Sequence, residues 1–283
     1  MKKFMVRCDM EGVTGVVVGE QAEPGHSAYG WGLRMFNEEL LALLAGLREG
    51  GADQVVVYDE HYYGTNVDLA ALPEYASVIA GKPPYREDWA GGLDASFAGV
   101  VLLGFHAKAG TPGACLSHTY EPDIVEIVLN GKSVGEIGVE AAIAGDWGVA
   151  VVMVVADSSG VAEARALLPE VVGVSVKESL PGGGALCHPL CVTRSAIRTA
   201  AALVAGSAPP VKPYRLQAPV TLEVRLREGA YRDAVGKLFA SRMSAADRLR
   251  LTGDTATAVW AEYWQKKLQA QEVCGRASSE DNP

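Results

Sequence analysis

Acidic and imidazole side chains follow three separate apolar segments of this 283-residue chain, at the point where each segment ends. Asp9 and Glu11 follow the first segment, Asp59 and His61 the second, and His106 the third. Each residue alone has an ordinary structural explanation, such as a helix cap for a carboxylate. The strand ends of an open parallel sheet form its ligand crevice. The combination of these acidic and imidazole residues therefore predicts one shared site.

The mixture of ligand types indicates which metal such a site would hold. Imidazole nitrogens together with carboxylates suit Zn²⁺, whereas Mg²⁺ prefers oxygen ligands and water. Asp9 and Glu11, two residues apart on an extended segment, can point the same way. Glu136 starts a predicted helix, where a plain cap is an equal alternative. Together with His61, His106 and Glu136, five side chains could serve two ions through a bridging carboxylate. Two such ions, about 3.5–4 Å apart, generate hydroxide near neutral pH and polarise a scissile carbonyl.

A further imidazole lies on a loop rich in glycine and proline. His118, twelve residues after His106, could shuttle protons or stabilise charge on a tetrahedral intermediate. Other nucleophile patterns are weaker, because the sequence has no GxSxG elbow and no GxxxxGK loop. Cys8 and Cys115 are better explained as packed thiols.

The elements that must position these residues alternate between short apolar runs and amphipathic helical stretches, which predicts a three-layer α/β/α fold with a mostly parallel sheet. The run 124–129 leads into Asn130-Gly131, a type I′ hairpin signal. The predicted strands are Phe4–Cys8, Gln54–Tyr58, Gly99–Leu103, Ala150–Ala156 and Val171–Lys177, and the predicted helices are Tyr29–Glu49, Gly135–Trp147, Ser159–Leu168 and Val192–Ala205.

A proline-rich stretch at 208–213 suggests a joint between two parts of the chain. Beyond it, a strand at 220–226 and helices at 231–239 and 255–271 predict a smaller C-terminal α+β subdomain. We therefore predict a metal-binding α/β catalytic domain over 1–207, a smaller subdomain over 208–273, and a disordered tail over 274–283.

Composition restricts the partners. The net charge is −9 and no stretch concentrates Lys and Arg, which argues against nucleic acid or an anionic membrane surface. The apolar start is too short for a signal core, and no run approaches the roughly 20 apolar residues of a membrane span, so we expect a cytoplasmic protein. The five cysteines include no CxxC pair, which argues against a disulfide framework. Cys187 and Cys191 lack a second pair to complete a structural zinc site.

Several of these motifs together resemble a known family. The chain resembles the M55 metallopeptidases, the D-aminopeptidases of the DppA type, from about residue 4 to about residue 180 in consistent order and spacing. The motifs that carry the resemblance are Asp9-Met10-Glu11-Gly12, Asp59-x-His61, the segment Gly104–Gly113, Ser117-His118, and Asn130-Gly131 through Gly135-Glu136-Ile137-Gly138.

The resemblance implies which ligands hold which metal ion. Asp9 would bridge two zinc ions in each subunit. Glu11 and His106 would complete one site, and His61 and Glu136 would complete the other. The substrates would be small peptides or amides with an N-terminal D-amino acid, such as D-Ala-D-Ala.

The resemblance also implies that His118 is the catalytic residue, as nucleophile or as acid and base, and that the protein forms a ring-shaped homodecamer. One position departs from the family pattern. Arg7 stands where a small hydroxyl residue is expected, two positions before Asp9. This leaves the ligands intact but bears on substrate preference and stereospecificity.

Two other functions compete with a dinuclear zinc D-aminopeptidase. One is a zinc-dependent amidase or aminopeptidase of relaxed or L stereospecificity, which a panel of D- and L-aminoacyl amides would separate. The other is a non-catalytic metal- or peptide-binding module. The intact ligand set and the intact His118 speak against the module.

Overall fold

The computed structural model describes residues 1–207 and 211–274, so part of the predicted joint and nearly all of the predicted tail lie outside the described residues. The strands are β1 (Lys3–Cys8), β2 (Gln54–Asp59), β3 (Ala76–Ile79), β4 (Phe97–Phe105), β5 (Ile124–Leu129), β6 (Lys132–Val134), β7 (Val151–Asp157), β8 (Val172–Ser179), β9 (Ala185–Cys187), β10 (Val220–Leu226), β11 (Met243–Ala245) and β12 (Arg248–Gly253). The helices are α1 (Tyr29–Glu49), α2 (Glu136–Asp146), α3 (Ser158–Leu167), α4 (Leu190–Ser207), α5 (Ala230–Leu238) and α6 (Ala256–Val273).

The first sheet has seven strands in the order β3-β2-β1-β4-β7-β8-β9. All its neighbours pair in parallel except β8 and β9, which are antiparallel. Its central strands are apolar on both faces because helices cover both sides. Helices α1 and α4 pack on one face, and α2 and α3 pack on the other. The predicted three-layer α/β/α architecture is thereby confirmed.

The second sheet has five antiparallel strands in the order β11-β12-β10-β5-β6. The turn between β5 and β6 has positive φ at Asn130 (44°) and Gly131 (80°), as a type I′ hairpin requires. Helix α6 lies over this sheet, and its Trp260 and Trp264 are in the core. The sheet takes strands from both sides of the predicted boundary at 207/208, and the division of the chain into two domains stays a prediction.

The predicted elements are found, with ends that differ by a few residues. Helix α1 has the predicted bounds, whereas α4 begins two residues earlier, at Leu190. Four short strands, β3, β9, β11 and β12, were not predicted. Within the described ranges, no helix is both long and apolar enough to cross a membrane. All five cysteines are free thiols.

One acidic residue of α1, Glu39, is buried beside the loop that follows β1. Oε1 of Glu39 accepts from the amide (3.1 Å) and the hydroxyl of Thr14, and Oε2 makes no hydrogen bond to any residue of the described ranges. Burial raises the pKa of Glu39 from 4.5 to about 7, although the bonds from Thr14 and the charge of Lys177 act in the opposite direction. Because the folded pKa is the higher one, this group makes stability fall as pH rises from about 4.5 to about 7.

We expect Glu39→Gln, which cannot titrate, to gain stability relative to the unsubstituted protein between about pH 5 and about pH 8. The expected gain is about 1–3 kcal/mol, since one pKa unit corresponds to about 1.4 kcal/mol. Urea unfolding of both proteins at the two pH values measures it. The matched control is Glu38→Gln on the same helix, where the side chain is part-exposed and pairs with Arg194. An equal stability difference at both pH values would contradict this account of Glu39.

Candidate metal centre

The candidate site lies at the carboxyl ends of three adjacent strands, β2, β1 and β4. Asp9 directly follows β1, His106 directly follows β4, and His61 lies two residues beyond β2. The segment after β1 is held against β4, because the amides of Asp9 and Gly12 donate to the carbonyls of Leu103 (2.8 Å) and Gly104 (2.7 Å). The shared strand edge therefore brings the acids and imidazoles together, as the sequence predicted.

Asp9 lies between the two imidazoles. Its Oδ1 is 2.7 Å from Nδ1 of His61, and its Oδ2 is 3.3 Å from Nε2 of His106. Oε2 of Glu11 lies 3.4 Å from the same His61 nitrogen. Each oxygen of Asp9 thus faces a different imidazole, which is the arrangement that a bridging carboxylate needs.

Glu136, the first residue of α2, completes the far side of the site. Its Oε1 lies 3.3 Å from Nε2 of His106 and 3.9 Å from Nε2 of His118. The His106 and His118 rings are stacked, with centroids 4.2 Å apart. Helix α2 begins here, so its N-terminal dipole favours a carboxylate at this position.

The side chains form two groups, each with ligand atoms within 4.8 Å of one another. One group holds Asp9, Glu11 and His61, and the other holds His106, His118 and Glu136. The family resemblance implied a different partition, with Glu11 beside His106 and Glu136 beside His61. Asp9 belongs to the first group and also contacts His106 of the second, so the six side chains form one continuous cluster.

Each histidine of the cluster is oriented by a backbone carbonyl. In each ring, the nitrogen that points away from the other ligand-type side chains lies close to a carbonyl oxygen. The distance is 2.7 Å from His61 to Ala22, 3.0 Å from His106 to Ala107, and 3.0 Å from His118 to Leu116. An N–H at these nitrogens donates to the carbonyls, which leaves the other nitrogen of each ring free to accept or to bind a cation. Metal-binding histidines are commonly fixed in this way.

The charges in the cluster compensate one another. Burial alone would raise the pKa of Asp9, but the imidazoles of His106 and His61 outweigh burial and hold it well below its usual range. Burial alone would lower the pKa of both histidines, but Glu11 and Asp9 raise that of His61, and Glu136 and Asp9 raise that of His106. The neighbouring carboxylates thus favour the protonated form of both imidazoles.

The cluster fits a divalent cation. Oε2 of Glu11 and Nε2 of His106 are buried and make no hydrogen bond within the part of the chain that the structure describes, although both point into the cluster. Orphaned polar atoms of this kind are rare in folded proteins, and a cation would satisfy both. Three carboxylates with two or three imidazoles form a ligand set that suits Zn²⁺. Binding would release the imidazole protons.

Two neighbouring residues have structural roles that sequence patterns did not reveal. Asp59 is not part of the cluster, because it accepts hydrogen bonds from the amide (2.6 Å) and side chain (2.7 Å) of Asn66. Lys177 is buried and its ammonium donates to the carbonyls of Glu11, Val13 and Val16, which fixes the loop that carries Glu11. A lysine at the end of an apolar strand is a weak signal for this contact.

Comparison with known proteins agrees with the fold. The family model of the M55 peptidases, described as D-aminopeptidase, matches residues 1–263. A D-aminopeptidase of Bacillus subtilis (strain 168) is 32% identical over 187 residues, which are 65% of this chain and 67% of that protein. The solved structure titled "Zn-dependent D-aminopeptidase DppA from Bacillus subtilis, a self-compartmentalizing protease" superposes with a TM-score of 0.87 at 25% identity, covering 98% of this chain and 99% of that one.

Fold and comparisons together define a metallo-aminopeptidase, a hydrolase of peptide bonds. More particularly, the chain belongs to the M55 peptidase family of D-aminopeptidases. The resemblance seen in the sequence motifs is thereby confirmed.

Proposed function

We propose that this protein is a dinuclear zinc D-aminopeptidase whose ligands are Asp9, Glu11, His61, His106 and Glu136, with Asp9 as the bridge. The observation that carries the proposal is the position of Asp9, whose two oxygens face two different buried imidazoles. The zinc dependence of the superposed structure supports the choice of metal. When bound, paired zinc ions lower the pKa of water and polarise a carbonyl.

His118 is the proposed acid and base of the reaction. Its side chain is 31% exposed, whereas those of His61 and His106 are 5% and 1% exposed. Because Nδ1 donates to the carbonyl of Leu116, the proton is taken up or released at Nε2, on the side of Glu136. A part-exposed imidazole at the edge of a buried cluster can reach a substrate and exchange protons with water.

The proposed substrates are small peptides and amides with an N-terminal D-amino acid, of the D-Ala-D-Ala type. The names of the family and of the matched B. subtilis protein support this class. The second candidate is the same hydrolytic site with relaxed or L stereospecificity, a hypothesis raised by the departure of Arg7 from the family pattern. A cytoplasmic homodecamer completes the proposal, and the description of the superposed enzyme as self-compartmentalizing supports the assembly.

Metal analysis coupled to a hydrolysis assay tests the proposal. We expect about two zinc ions per chain, D-Ala-D-Ala turnover that a chelator abolishes, and recovery when zinc is added back, because the buried carboxylates and imidazoles remain in place to bind the metal again. A panel of D- and L-aminoacyl amides reads out stereospecificity. Turnover that survives removal of all metal would refute the mechanism, and zinc binding without turnover on any amide would favour the non-catalytic module.

A further inference from the structure

A wholly buried arginine lies behind the metal centre. The guanidinium of Arg7, on β1, donates to the hydroxyl of Tyr85 (2.7 Å) and to the carbonyl of Ala90 (2.8 Å), and it pairs with Glu140 of α2. Glu140 is also wholly buried. Burying two charges is costly even when they are paired, so stability alone does not account for this pair. Neither Arg7 nor Glu140 belongs to the cluster of proposed ligands.

Tyr120 connects this buried pair to the metal centre. Its hydroxyl donates to Oε1 of Glu140 (3.1 Å), and its backbone amide donates to Oε1 of Glu136 (2.7 Å). Glu136 and Glu140 lie one helical turn apart on α2, so the tyrosine spans that turn from outside. The oxygen of Glu136 that accepts from this amide is the same one that faces His106 and His118.

The backbone of Tyr120 is in a strained conformation. Its φ is +58°, in the left-handed region that aromatic residues rarely adopt. Such conformations persist only where surrounding contacts impose them, and they concentrate at functional sites. Here the amide is bonded to Glu136 at one end of the residue, and the hydroxyl is bonded to Glu140 at the other. The conformation directs the amide at the proposed ligand.

Packing alone does not explain the hydroxyl contact. The ring of Tyr120 lies against Trp260 and Trp264 of α6, with centroids 4.6 and 5.9 Å away, and a phenylalanine ring could pack in the same place. The phenol hydroxyl adds a directional bond to a charged acceptor, which is stronger than a neutral one. The guanidinium of Arg7 pairs with the other oxygen of the same carboxylate, so Arg7 and Tyr120 hold Glu140 from two sides.

We propose that Arg7, Glu140 and Tyr120 act as a positioning unit that fixes the Glu136 carboxylate, and thereby sets how tightly one of the two zinc ions is held. The proposal rests on the function proposed above, in which Glu136 is a ligand. Arg7 and Glu140 orient Tyr120, and the Tyr120 amide orients Glu136. None of the three touches the metal or the substrate.

Tyr120→Phe tests the unit, because it keeps the ring and the amide and removes only the hydroxyl. We expect the dissociation constant of one zinc ion to rise about tenfold, as outer-shell contacts typically contribute, and that of the other ion to stay the same. Competition with a chromophoric chelator measures both constants on the full chain. The matched control is Tyr263→Phe, which also removes a tyrosine hydroxyl, here one that is wholly buried and bonded to Tyr231 (3.1 Å).

A merely structural role predicts a different outcome. Tyr120→Phe and Tyr263→Phe would then lower the melting temperature of the metal-free protein to similar extents and leave both zinc constants unchanged, and that result would overturn the proposal. Glu140→Gln supplies a second test. If Glu140 acts through Tyr120, the double variant with Tyr120→Phe binds zinc no more weakly than Tyr120→Phe alone, whereas additive losses would contradict a shared route.

Glu136→Ala separates failure of this inference from failure of the proposed function. If Glu136→Ala keeps both zinc ions, the ligand assignment is wrong. If Glu136→Ala loses one ion while Tyr120→Phe binds both as tightly as the unsubstituted protein, only the positioning unit is refuted.

Discussion

Replacing His106 by alanine is expected to remove bound zinc and hydrolysis together. Its Nε2 lies 3.3 Å from both Asp9 and Glu136, so it is the imidazole that joins the two groups of the cluster. Without it, the cluster loses one of the two imidazoles that face Asp9 and so one proposed ligand of the metal. We expect zinc affinity to fall by more than the roughly 10–100-fold that outer-shell changes cost, and turnover to fall to background.

Zinc content after dialysis and the initial rate on D-Ala-D-Ala, measured on the same preparation, check this result. His26→Ala is the matched control, because the His26 side chain is half-exposed and pairs with Glu23, 3.4 Å away, outside the cluster. That variant should keep both zinc and rate. A His106→Ala protein with full zinc and full turnover would exclude His106 as a ligand.

Replacing His118 by alanine is expected to reduce kcat by about 100- to 10,000-fold, the usual contribution of a general acid or base, while zinc stays bound. The reason is that His118 is part-exposed and its Nε2 is 3.9 Å from the nearest carboxylate of the cluster, farther than the proposed ligands lie from their partners. Steady-state kinetics and zinc analysis of the same variant measure the two effects separately.

The zinc measurement decides between two roles for His118. Its ligand atom lies within 4.8 Å of those of His106 and Glu136, so coordination is geometrically open to it. A His118→Ala protein that loses one zinc equivalent together with its rate would reassign His118 as a ligand. Unchanged kcat would exclude it from proton transfer.

The central sheet and most of the site could be predicted from the sequence because local patterns specify them. β4 and β7 are nearly continuous apolar runs, β1 is apolar over Phe4–Val6, and α1 repeats its apolar residues at helical spacing over its whole length. Once those strands are parallel, the residues that follow them must meet at one edge. The strands β3, β9 and β11 have only three or four residues, too few for a periodic pattern to identify them. β12 does alternate, with Leu249 and Leu251 buried and the residues beside them more exposed.

The contacts behind the ligands could not be predicted, because they join residues far apart in sequence. Arg7 looked like a departure from a motif, and its significance depends on Glu140, 133 residues later, which reads in the sequence as an ordinary helical acid. The amide of Tyr120 reaches Glu136 through a backbone conformation that no propensity predicts for tyrosine. The partition of the ligands likewise depends on side-chain directions rather than on spacing.

The pairing of β5 with β10 has a consequence for how the protein is made. β5 ends seven residues before Glu136, yet its partner strand emerges from the ribosome only about 90 residues later, and α6, which packs against Tyr120, follows that strand. A nascent chain therefore carries every proposed zinc ligand well before β10 and α6 are available to pack beside them. Assembly of the catalytic centre thus waits for the synthesis of β10 and α6 rather than for that of its ligands.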